Sequence, residues 1–201
     1  MTSPDAQFSI WITGLAGKAP FFDKVMSLLA CDFFVPVSMS LILLFLWFGT
    51  RDPARRNKNQ YGAMCASASL GFANFGVWLL NHAFNFNPWP RPFEVHESAK
   101  QAAEIVLYLP GDPSFPANVA ALTFAAAMGM WLYSRRSSIP IFTLATLWSL
   151  ARVYAGVHYP LDVLGGAVIG VVIALGTYGL MRLLWPLPAI CFWFARKLYV
   201  A

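Results

Sequence analysis

Three chemistry-bearing side chains, Arg152, His158 and Asp162, are set at fixed spacing in the stretch ARVYAGVHYPLDVLGG, residues 151–166. A neutral imidazole can attack phosphorus and hold the phosphoryl group as a phosphohistidine. A carboxylate on its second ring nitrogen fixes the tautomer and stabilises the cation that develops. An arginine fork grips two phosphoryl oxygens at once. Arg152 closes one apolar run and Asp162 opens the next, with Gly156 and Pro160 in the turn between them. A helix end, a turn and a helix start can therefore aim all three side chains into one pocket. Taken singly, Arg152 reads as a snorkelling membrane-edge arginine and Asp162 as a helix cap. As a set with Arg91 they read as a phosphoryl-transfer site. The two arginines supply the positive charge, so this chemistry calls for no metal and no cofactor.

The elements that must carry these residues are apolar. The chain has 201 residues, 58% hydrophobic and 11% charged, with a net charge of +5. A soluble domain averages about 25% charged, so the expectation is an all-α integral membrane protein forming a single domain. A span needs about 20 mostly apolar residues. Runs of that kind fall at about 33–50, 60–80, 116–133, 139–156 and 162–184, which predicts a bundle of five spans over 33–184. The segment 185–201 is a C-terminal tail or a sixth helix. Residues 8–29 mix Phe8, Trp11, Phe21 and Phe22 with Gly14, Gly17, Pro20, Lys18, Asp23 and Lys24, and read as one or two amphipathic helices lying in the interface. Cys31, Cys65 and Cys191 are too scattered for a disulfide framework or a metal site and read as apolar thiols. The N-terminus lacks a basic n-region and a small-residue cleavage pattern, so no removable signal peptide is expected.

Lysine and arginine set the orientation. Arg51, Arg55, Arg56 and Lys58 follow the first run, Arg135 and Arg136 the third, and Arg182, Arg196 and Lys197 the last. With five spans these all fall on one side, which the positive-inside rule makes cytoplasmic. The 81–115 loop and the 156–161 turn then share the extracytoplasmic face. The basic excess implies no nucleic-acid partner.

The stretch from Arg152 to Asp162 resembles the third motif of the type-2 phosphatidic acid phosphatase superfamily, which also includes the vanadium haloperoxidases. Trp89-Pro90-Arg91-Pro92-Phe93 resembles the Arg-Pro core of its first motif, and Ser114-Phe115-Pro116-Ala117-Asn118-Val119 stands where the second belongs. The N-terminal stretch ITGLAGKAPFFDKVM and the size resemble the short bacterial undecaprenyl-diphosphatase subgroup. The resemblance implies His158 as nucleophile, Asp162 as its orienting partner, and Arg91 and Arg152 as the phosphate clamp. It implies backbone amides near Ala117 and Asn118 offered to phosphate at a helix N-terminus, with Pro92, Ser114 and Gly156 lining the substrate site. It also implies a lipid phosphate substrate, binding of phosphate or vanadate at His158, and a bacterial cytoplasmic membrane with the site facing outward.

Two positions depart from the family pattern. The broad family has a lysine seven residues before the first-motif arginine, where this chain has Phe84. The second motif usually reads Pro-Ser-Gly/Asp-His, and here Ala117 and Val119 replace the phosphate-binding serine and the histidine that protonates the leaving group. General acid–base help is worth about 10²–10⁴-fold. A diphosphate expels a phosphate monoester whose second pKa is about 6, and that group leaves without a proton. An alkoxide does not. A diphosphate substrate therefore tolerates the loss best. His82, His96 and Lys100 share the 81–115 loop, with His96 and Lys100 one turn apart on a predicted helix over 97–109, and His96 is the candidate substitute acid. Three readings follow: a polyprenyl-diphosphate or other lipid phosphatase, a degenerate relative that binds or transports an anionic lipid, and a lipid-linked phosphotransferase.

Overall fold

The computed structural model describes residues 3–83 and 89–198, and its regular elements are all helices. They are α1 (Pro4–Thr13), α2 (Pro20–Ala30), α3 (Phe34–Phe48), α4 (Pro53–Ala83), α5 (Pro92–Val95), α6 (Glu97–Val106), α7 (Asn118–Trp131), α8 (Arg135–Tyr154), α9 (Pro160–Leu183) and α10 (Leu187–Lys197). Phe84 lies outside the described residues.

Among the described residues, α4 and α9 are long and apolar enough to cross a membrane alone, and α2 with α3, bent by 57° at their joint, qualify together as one broken span. The expected runs at 116–133 and 139–156 differ. α7 has 14 residues, about 21 Å at 1.5 Å per residue, and α8 carries Arg135, Arg136 and Arg152. The reason lies in packing. α7 packs against α4, α8 and α9, and the face it buries there carries Ala120, Ala121, Ala125, Ala126, Ala127 and Gly129. Small residues let backbones close up, as at membrane helix interfaces generally. A Cβ on Gly166 would lie 2.4 Å from the Ala117 carbonyl oxygen, and one on Gly170 would lie 2.3 Å from that of Ala121. α9 therefore rests directly on α7.

Pro140 sits inside α8, not at its start as the apolar run suggested, because α8 begins at Arg135. The interfacial region resolves into α1 and α2. Both pack on α6 and α8, fastened by Tyr154 donating to the Asp23 carboxylate at 2.6 Å and Trp148 Nε1 donating to the Ala30 carbonyl at 3.2 Å. α10, with 11 residues, is about 16 Å long and too short to span. Its Phe192 packs instead on Trp47 and Tyr61, with ring centroids 5.4 and 4.3 Å away.

The polar contacts segregate to two ends. Ser137 bonds Asn59 at 2.9 Å and Arg196 bonds Asn57, which gathers the arginine-bearing linkers at one end. Thr13–Ser98 and Tyr108–Asp32 contacts draw the N-terminal helices onto α6 and the 107–117 loop at the other end. The candidate residues lie at this second end.

Candidate active site

His158 sits in the turn between α8 and α9, 3% exposed. Gly156 makes that turn with φ +70°, and a Cβ there would lie 2.6 Å from the Ala99 carbonyl oxygen. Only glycine meets both demands. Its role is steric, letting α6 close over the turn.

The His158 Nδ1 lies 3.1 Å from the Ser114 carbonyl oxygen. A carbonyl only accepts, so Nδ1 carries the proton and Nε2 keeps its lone pair. This is the tautomer a nucleophile needs. The orienting acceptor is thus a backbone carbonyl, where a direct Asp162 bond was expected. Asp162 Oδ2 instead accepts from the Ser114 hydroxyl at 2.6 Å and from the Tyr159 backbone N–H at 2.9 Å. It caps α9 at its third residue and holds the serine whose carbonyl holds the histidine. Asp162 reaches His158 through Ser114. Burial, reinforced by the charges of Arg91 and Arg152, holds the His158 imidazole well below its usual range, against a smaller opposing effect of the Ser114 carbonyl.

Arg91 caps α5, with its backbone N–H donating to the Glu94 carboxylate at 2.8 Å and the buried Pro92 in the first helical position. Its guanidinium is 2% exposed and engaged on several sides. Nε donates to the Asp112 carbonyl at 2.7 Å, Nη1 to the Val157 carbonyl at 2.8 Å, and Nη2 to the Pro113 carbonyl at 3.2 Å and the Asp112 carboxylate at 3.0 Å. Arg91 thereby ties the 107–117 loop to the residue before His158. A guanidinium has five N–H donors, and these four bonds leave one for a phosphoryl oxygen. Arg152 is paired with the Asp32 carboxylate, while its Cζ lies 5.6 and 5.9 Å from the Trp148 and Tyr108 ring centroids. Its Nε is buried with no hydrogen-bond partner.

The second-motif segment differs from expectation in detail. The Ala117 N–H donates to the Asp162 carbonyl at 3.1 Å, so that amide is spent on joining α7 to α9. Asn118 begins α7, and its carboxamide oxygen is buried without a partner. Val119 packs against the apolar cluster of Val35, Met39, Ala126 and Trp148. His96 caps α6, and its ring meets Tyr159 edge-on at 6.5 Å. Its neighbour in sequence logic, Lys100, is exposed on α6. Sequence reasoning missed Asp32, Tyr108 and the pairing of Asp112 with Arg91. Their partners are distant in the chain, and the one available signal was a lone acidic residue, Asp32, between two apolar segments.

A model of the PAP2 superfamily matches residues 62–186. The putative undecaprenyl-diphosphatase YbjG of Escherichia coli K12 is 29% identical over 162 residues, which cover 80% of this chain and 74% of that protein. The undecaprenyl-diphosphatase BcrC of Bacillus subtilis 168 is 26% identical over 175 residues, 87% of this chain and 83% of that one. The crystal structure of a transmembrane PAP2-type phosphatidylglycerolphosphate phosphatase from Bacillus subtilis superposes with a TM-score of 0.52 at 18% identity, covering 92% of this chain and 90% of that one, which shows a shared fold. With the match running from the middle of α4 to the end of α9 and enclosing Arg91, Arg152, His158 and Asp162, the chain belongs to the PAP2 superfamily of phosphatases.

Proposed function

We propose that the protein removes the terminal phosphate from a polyprenyl diphosphate, undecaprenyl diphosphate above all, on the extracytoplasmic side of a bacterial cytoplasmic membrane. The observation that carries this is the setting of His158: buried, with Nδ1 committed to the Ser114 carbonyl, and with burial and the charges of Arg91 and Arg152 opposing its protonation. Nε2 attacks the terminal phosphorus, the bridging P–O bond breaks, and the polyprenyl monophosphate leaves. Arg152 and the remaining Arg91 donor carry the charge of the transferring group. A diphosphate suits a chain with Val119 at the acid position, because its leaving group departs unprotonated. The names of the bacterial relatives agree with this substrate. In this reading α7 and α8 cross the membrane beside α3, α4 and α9, making five spans. The arginine-bearing linkers then face the cytoplasm.

The test is phosphate release by the purified protein in detergent from undecaprenyl diphosphate, with phosphatidic acid as second substrate. His158→Ala abolishes release, and vanadate inhibits competitively. A second reading, a relative that binds an anionic lipid without turnover, is favoured by Val119 facing the apolar cluster. Lipid binding with no release of phosphate from either substrate selects it.

A further inference from the structure

The phosphohistidine must be emptied, and Val119 cannot activate the incoming hydroxyl. The opposite side of the second-motif segment carries a cleft of about 590 Å³, lined by Asn74, Trp78, Asn81 and His82 of α4 and by Asp112 and Asn118. Asp112 is the residue that pairs with Arg91, and Asn118 starts α7, so the cleft borders the phosphoryl site. Its histidine is pre-set. His82 Nδ1 lies 2.9 Å from the Trp78 carbonyl oxygen, and the ring stacks on Trp78 at 4.6 Å. A carbonyl only accepts, so Nδ1 of this exposed ring is the donor and Nε2 is the nitrogen left for a ligand. Asn81 and Asn118 each have a buried carboxamide oxygen with no hydrogen-bond partner. Such oxygens are normally satisfied, and hydroxyl groups are donors of the required kind. A cleft this large exceeds a single water, whose share of liquid volume is about 30 Å³.

We propose that this cleft is the acceptor subsite, that it binds a hydroxyl compound, water or a polyol, and that His82 is the general base of the second half-reaction. The proposal rests on the phosphohistidine reading above. The acceptor O–H gives its proton to His82 Nε2 while its oxygen bonds phosphorus. The N–P bond breaks, and its electron pair returns to His158 Nε2. With water the product is inorganic phosphate; with a polyol it is a phosphomonoester.

The experiment uses full-length protein in detergent and undecaprenyl diphosphate labelled in its terminal phosphate. Label on the protein and label released are followed together, with water alone or with added glycerol as the polyol probe. In wild type the label passes through the protein, and phosphoglycerol formation shows that the cleft admits a polyol, whereas phosphate alone assigns it to water. In His82→Ala the label still loads but leaves about 10²-fold more slowly. Added imidazole restores its departure, which a merely structural role for His82 does not allow. Loading with unchanged departure in His82→Ala overturns the proposal, as does a defect that added imidazole does not relieve. Wild type that neither labels nor releases phosphate overturns the phosphatase reading itself, a result distinct from both.

Discussion

At the residue scale, the proposed reaction turns on the protonation state of His158. Burial and two neighbouring arginines oppose its protonation, so the folded pKa lies below the unfolded value of about 6.5. Loading of the phosphoryl group onto His158 therefore holds steady as pH falls from about 8 to about 6.5, and the acid limb of that step lies below the ordinary imidazole range. A pH–rate profile checks this, and an acid limb above that range contradicts it. Stability follows the same group. Between the two pKa values the unfolded chain binds a proton that the folded chain does not, so the stability held above the unfolded pKa is lost as pH falls toward the folded one. His158→Ala removes that part of the pH dependence, readable as a flatter melting temperature below about pH 6.5.

Individual residues also show how far motif spacing reaches. Arg152, His158 and Asp162 were legible because they are close in the chain. The finer roles were not. That Asp162 acts on His158 through Ser114 depends on a serine 48 positions away. The spacing admitted a direct bond just as well, and the helix-capping geometry of α9 decided otherwise by turning Oδ2 toward Tyr159 and Ser114.

At the element scale, two joints control the site. The first is the bend between α2 and α3, which places Asp32 on the Arg152 guanidinium with Tyr108 donating to its second oxygen at 2.7 Å. The Asp32 side chain is 44% exposed but that of Arg152 only 4%, so the pair is half-buried and Asp32 both steadies a buried guanidinium and competes with phosphate for it. Asp32→Asn, which keeps an oxygen acceptor, lowers KM several-fold with kcat little changed; steady-state kinetics read the split, and a raised KM counts against it.

The second joint is the α7–α9 crossing. Gly170→Ala sets a methyl 2.3 Å from a backbone oxygen that cannot move without α7. Overpacking of this kind costs about 1–3 kcal/mol. A lower melting temperature in detergent, accompanied by loss of activity because α7 carries the 112–118 segment with it, is the expected outcome. The same change at Gly176, which has open space around it, serves as the neutral comparison.

At the scale of the whole molecule, the segregation of charge governs orientation. The linkers bearing Arg51, Arg55, Arg56, Arg135 and Arg136 meet at one end, through contacts such as Ser137–Asn59. α6 and the 107–117 loop lie at the other. In intact cells an impermeant maleimide is expected to label Glu97→Cys and to leave Arg55→Cys unreacted until the membrane is opened. The reverse pattern places the site on the cytoplasmic side.

The sequence by itself determined the helical membrane class, the family, the turn that carries His158 and the end of the bundle where the site forms. Those features are written in local terms: apolar run length, short motif spacing and the distribution of arginine. Only the tertiary structure decided that α7 is a short helix packed against α4, α8 and α9, that α1 and α2 brace α6 and α8, and that Asp32 and Asp112 answer the two arginines. It also decided that Ser114 stands between Asp162 and His158, and that His82 and Asn118 line one cleft. Each of these joins residues far apart in the chain. A side chain's type limits which partners it can take, but the partner it meets is chosen by how closely helices can approach, and here glycine and alanine on α7 and α9 set that distance.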